Sequence, residues 1–495
     1  MSEASLESIE SLIEKSESNL AQIEVTLPLI LEMRQSVIAA IDKQQDATLL
    51  SDLLLVVLDV ILAENEVIYD LSASLDALLK SENKCAKRYY MQHLNFCFCE
   101  ACQVFVGDKG DEYGLLTKLE SLTKRLNQVG CQYIVNHIID DLQQFKNNYC
   151  NRDLRNIARH YDSPIKMYEK RFELNNIDFF AKGASHLMAI RMEISVLSSY
   201  LITLFAPLKK SPQLSLSSRQ DVHLNVLIND TIFKTIKGRW IDEEVQKALD
   251  EGQTVLDACY KLYNYFLSVE KLLKERSYPV TEDLDRMKSI IWLRMETLFL
   301  RYDVACSVWG YINAASDMER SQNLRLIHIS KQAALTHIYG YTEKRRDKSL
   351  WTAIKDIDTS IGGDLDTDSI ENMLKQLTLN LNEDCENSRM FAHYRYKQEF
   401  YIPARLKAFS TMKHHEELTD AMELLKVCKS LEDYTTRLLL GIHKKQMQTN
   451  KKIYEDWKTK IESMEAKVGN IKDVKKGLEQ IYNLLDSIYN SSAIS

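Results

Sequence analysis

At 495 residues the chain is too long for one ordinary core, and 45% hydrophobic with 27% charged residues is a globular mixture, not a disordered one. Fourteen glycines and six prolines supply too few turns for a sandwich, a barrel or a wound α/β sheet, so the expected fold is all-α, with long helices and few loops. A net charge of −8, from 63 basic against 71 acidic residues, argues against a globally basic nucleic-acid binder and leaves room for a local basic site.

The opening MSEASLESIE is acidic and polar, without the charged-then-apolar order of a signal peptide. Ten cysteines without such a signal predict free thiols in a reducing cytoplasm. Leu6, Ile9, Ile13, Leu20 and Ile23 then recur at helical spacing and predict a first helix with one apolar stripe. Leu49 to Ala63 is apolar but interrupted by Asp52 and Asp59, and Ile194 to Leu208 is uncharged but short. Neither reaches the roughly 18–20 residues of a spanning helix, so a soluble chain with no membrane segment is expected. His93, Cys97, Cys99 and Cys102 have metal-like spacing. On a straight helix, however, Cys97 and Cys99 point about 200° apart, so the four cannot converge on one zinc and no metal is expected. No phosphate-binding glycine loop, HExxH or GxSxG occurs, and no cofactor is expected.

Residues 152–162 read RDLRNIARHYD. On a helix, Arg152, Arg155 and Arg159 form a basic stripe suited to an RNA backbone, and Asn156 lies one turn before His160, where its amide can orient the imidazole. Histidine can take a proton from a ribose 2′-hydroxyl while arginine stabilises charge growing on the phosphorus oxygens, a route that needs no metal.

Further along, the chain shows signs of duplication. Residues 91–107 (MQHLNFCFCEACQVFVG) align without gaps on 295–310 (METLFLRYDVACSVWG), pairing Met91, Leu94, Ala101, Cys102 and Val104 with Met295, Leu298, Ala305, Cys306 and Val308. His160-Tyr161 then matches His393-Tyr394 in SRMFAHYR, and Met192-Glu193 matches Met422-Glu423. The offset grows between the first match and the later two, which predicts an insertion around Asp356 to Ser369 in the second copy. Copy one is placed at 1–205 and copy two at 219–445, joined by a linker with Pro207, Pro212 and a serine-rich run to Ser218. Lys344, Arg345, Arg346 and Lys348 before Trp351 read as a charged helix end with one packed tryptophan. The acidic run Asp356 to Asp368 lacks the spacing of a calcium loop. From 446 to 495 a helical tail carries an apolar seam through Ile453, Trp457, Ile461, Met464 and Val468 to Ile488.

Arg155-Asn156-x-x-x-His160, late in a helical domain, resembles the signature of the HEPN superfamily of all-helical nucleases and nucleotide-binding domains. The duplication is similar to the tandem form of that family, in which two motifs face each other across a cleft. The resemblance implies a metal-independent endoribonuclease of the kind found in toxin–antitoxin and phage-defence systems. By it, Arg155 would stabilise the phosphate, Asn156 would be the polar orienting residue and His160 the general base. In copy two, Ser388 stands where the motif arginine should be, and Arg389 and His393 are one turn apart, so that half departs from the pattern. The alternative is a non-catalytic helical scaffold that binds a protein partner or a second copy through its first and last helices.

Overall fold

The computed structural model describes residues 3–44, 49–107, 113–126, 129–157, 163–205, 240–277, 279–314, 317–340, 349–363, 367–379, 381–396 and 399–468. The fold is all-α. In the first half the helices are α1 (Glu3–Gln44), α2 (Leu49–Lys80), α3 (Lys84–Phe105), α4 (Leu115–Arg125), α5 (Val129–Tyr149), α6 (Arg152–Ile157), α7 (Pro164–Phe172) and α8 (Ile177–Phe205). The second half supplies α9 (Trp240–Glu275), α10 (Glu282–Asn313), α11 (Asp317–Ile338), α12 (Leu350–Ile361), α13 (Asp368–Leu377), α14 (Leu381–Ala392), α15 (Ile402–Ser410) and α16 (His414–Val468). Between α14 and α15, β1 (Arg395–Tyr396) and β2 (Glu399–Phe400) form a two-stranded antiparallel hairpin. Among the described residues no helix is long and apolar enough to cross a membrane.

Local sequence sets several helix ends. Asn83 caps α3 by accepting from the N–H groups of Cys85 and Ala86, and Thr281 caps α10 ahead of an acidic first turn. Gly362 closes α12 in the left-handed conformation, at φ 69°.

Helices α2 and α10 are the two buried axes. Each runs 32 residues, and each is followed by a 22-residue helix, α3 or α11. Both pairs are related by one shift of 233 positions (282 less 49, and 317 less 84). The same shift carries Tyr69-Asp70 onto Tyr302-Asp303 and His160-Tyr161 onto His393-Tyr394. This register replaces the alignment of 91–107 on 295–310. Those segments are α3 and α10, both buried on nearly every side, and by this shift α3 corresponds in place to α11. The shift of 233 holds for these two helix pairs, whereas Met192-Glu193 and Met422-Glu423 are 230 apart; Asp356 to Ser369 spans the end of α12 and the start of α13.

The equivalent aspartates are paired across the halves. Arg171 of α7 grips Asp303 of α10 with both nitrogens, at 2.5 and 3.1 Å. Arg405 of α15 bonds Asp70 of α2 at 2.5 Å and lies 3.1 Å from Glu66. Arg325 adds a further ion pair to Glu66 at 2.9 Å. Tyr90 of α3 crosses to Asn323 of α11 at 2.8 Å, over Gly310, where a Cβ would lie 1.8 Å from the tyrosine oxygen. The buried apolar residues of both halves accordingly form one continuous cluster instead of two. Helix α16 runs unbroken through residue 446, so the start of the tail lies inside a helix. The linker, the basic group 344–348 and residues 469–495 lie outside the described residues, whereas Trp351 is buried.

Candidate active site between the halves

The motif helix α6 is short, and its position depends on neighbouring amides. Asn151 caps it by accepting from the Leu154 N–H at 3.0 Å. Asn95 of α3 clamps the Asn151 backbone from both sides, accepting from its N–H at 2.9 Å and donating to its carbonyl at 3.0 Å. With Leu154 buried, α6 is held against α3 and Arg155 faces that helix.

There Arg155 Nη2 donates to the carboxylate of Glu100 and, at 2.7 Å, to Gln103 Oε1. The other oxygen of Glu100 lies 3.2 Å from Nδ1 of His393, within ion-pair distance. One carboxylate thus meets the motif arginine of the first half and the motif histidine of the second. Glu100 is sealed at 2% side-chain exposure, whereas Arg155 and His393 are open at 24% and 25%.

His393 ends α14, its N–H bonded to the Arg389 carbonyl, and its ring lies 5.9 Å from that of Phe96. The next residue, Tyr394, is buried and donates to Asp70 at 2.7 Å. The Tyr401 N–H returns to the Tyr394 carbonyl and closes the hairpin. The histidine is therefore positioned by the same aspartate that anchors Arg405.

Burial acts to raise the pKa of Glu100, but His393 and then Arg155 outweigh it and hold the carboxyl below its ordinary range. The site carries a carboxylate at neutral pH.

The other expected site residues are placed differently. Asn156 is exposed on α6. Arg152 lines a groove beside α6. Arg389 lies 3.9 Å from Glu386 and over the ring of Tyr401. His160 and Arg159 lie outside the described residues. Cys102 faces Cys150 at 3.7 Å, and His93 packs on Tyr89, so two members of the metal-like group serve as core contacts. None of the ten cysteines is joined in a disulfide.

Sequence reasoning missed Glu100, Gln103 and Phe96. A signal was present, since Glu100 is the one Asp, Glu, Lys or Arg within 91–107. A lone charge in so apolar a helix needs a partner once it is buried. Compared with protein-family models, with curated proteins and with solved structures, the chain matches none.

Proposed function

We propose that this chain is a metal-independent endoribonuclease of HEPN type, with one composite site built from both halves, and that it acts as a toxin or phage-defence effector. The observation that carries the reading is the meeting of Arg155 and His393 on Glu100. In this reading Arg155 stabilises the phosphorane, and Asn156 and His160 keep the orienting and general-base roles the motif gives them. His160 removes the 2′-hydroxyl proton, the 2′-oxygen attacks phosphorus, and the 5′-oxygen leaves. His393, its ring oriented by Glu100, returns a proton to that oxygen through Nε2. The products are a 2′,3′-cyclic phosphate and a 5′-hydroxyl.

The test is RNA cleavage in EDTA by wild type, Arg155→Ala, His160→Ala and His393→Ala, each shown folded by circular dichroism. Cyclic-phosphate ends made by wild type and lost in all three variants support the reading. Cleavage that persists in Arg155→Ala and His393→Ala, or no cleavage of any RNA by wild type, overturns it. One observation favours the scaffold instead: Val25, Leu29 and Met33 of α1 face outward four residues apart.

A further inference from the structure

We propose that the groove beside α6 is a nucleobase subsite for single-stranded RNA, selective for bases that carry an exocyclic amino group. The proposal rests on the nuclease reading and names where the nucleotide next to the reacting phosphate binds. The groove holds about 560 Å³, a volume suited to a nucleoside, and lies between the end of α5, the start of α6 and the turn from α7 to α8.

Its position follows from α6. Arg152 lines the groove, and Arg155, three residues on, lies in the site. Side chains at that spacing are neighbours on a helix, about 5–6 Å apart at Cβ. A base in the groove therefore places its own phosphate within reach of both arginines.

The walls fit a base better than a phosphate. Tyr149 and Phe179 meet with ring centroids 5.2 Å apart, and Phe179 is 37% exposed, a large apolar surface left open at the groove. Such a face stacks any base. Asn148 and Asn175 stand on the rim and each offers an amide donor and acceptor. The amides of Asn95, Asn151 and Asn176 are committed to the backbone N–H or C=O groups of Asn151, Leu154 and Phe179, which fixes the shape of the groove.

Charge selects the kind of base. Asp153 and Glu173 also line the groove, so with Arg152 its lining is net negative and repels a phosphate. Glu173 lies 3.5 Å from Lys170. A carboxylate accepts from the exocyclic amino groups of adenine, cytosine or guanine, whereas uracil has no such group and offers its N3–H alone.

The experiment uses the full chain and fluorescein-labelled 2′-O-methyl hexanucleotides of A, C or U, which cannot be cleaved, read by fluorescence anisotropy. Wild type is expected to bind the A and C hexamers at least fivefold more tightly than the U hexamer. Phe179→Leu should weaken all three about tenfold, the scale of one lost stack. Glu173→Gln should narrow the gap between A or C and U to within twofold, while Arg155→Ala leaves that gap intact. Equal binding of the three hexamers by wild type, wild-type behaviour in both groove variants, or no binding at all overturns the proposal. Wild-type binding with this preference but no RNA cleavage in EDTA removes the nuclease reading and leaves the groove. Cleavage without the preference removes the groove alone.

Discussion

Among the groups of arginine and carboxylate that join the halves of this molecule, those around Asp70 and Glu100 differ in what surrounds them. Around Asp70 the charges are sealed: Glu66, Arg325 and Arg405 are all buried, and Tyr394 closes the group. Around Glu100 only the carboxylate is sealed, and its two partners, Arg155 and His393, keep about a quarter of their surface in solvent. Similar residue types do different work in the two places. An arginine buried among its carboxylates cannot reach a ligand, whereas a half-open arginine and imidazole on a fixed carboxylate can. Tyr394 ties the two together, because the sealed cluster positions the histidine of the open one.

That contrast can be broken from the sealed side first. Arg405→Ala should cost about 3–5 kcal/mol, because it leaves Asp70 and Glu66 in the core to share Arg325. Urea unfolding reads this directly, and a loss under 1 kcal/mol would mean that water reaches the cluster.

A pH titration sharpens the comparison with a third group. Burial acts to raise the pKa of Glu417, but His328 and Lys331 hold it down at about 2, against an ordinary 4.5. Its folded value is depressed, so its contribution is complete above about 4.5 and is lost as pH falls towards about 2. The contribution is about 3 kcal/mol. Glu417→Gln should flatten the acid limb of a stability–pH curve over that window. Glu100 is shifted the same way, and Glu100→Gln should also flatten the limb below the ordinary carboxylate range.

At neutral pH, Glu100→Gln should cost about 1–3 kcal/mol, since one side chain loses charge-assisted contacts while its partners turn to water. The smallest effect is expected on the open side. Arg155→Ala should cost about 1–2 kcal/mol, since Glu100 stays buried but keeps His393, while abolishing any cleavage, and a loss as large as that of Arg405→Ala would make Arg155 a structural residue.

Much of the fold is legible in composition. Scarce glycine and proline and three-and-four apolar spacing in α1 give long helices without reference to tertiary contacts. The register between the halves is another matter. Residues 91–107 and 295–310 align through apolar positions because both helices are buried on nearly every side, and such helices resemble each other wherever they sit. The informative pair was polar, Tyr69-Asp70 and Tyr302-Asp303, because a buried aspartate must keep its arginine. The motif itself is visible as Arg155 and, in the other half, His393, each separately.

The sequence alone determined the helices and many of their ends, because hydrophobic periodicity, capping and punctuation act within a few residues. Which residues share a site was decided only by tertiary packing. Glu100, Arg155 and His393 lie on α3, on α6 and at the end of α14, and each is unremarkable among its own neighbours. They meet because Asn95 holds α6 to α3 and Asp70 holds Tyr394 beside it, contacts that span 56 and 324 positions. Local rules carry no information at such separations, and the free energy that fixes these contacts comes from burying both halves in one core.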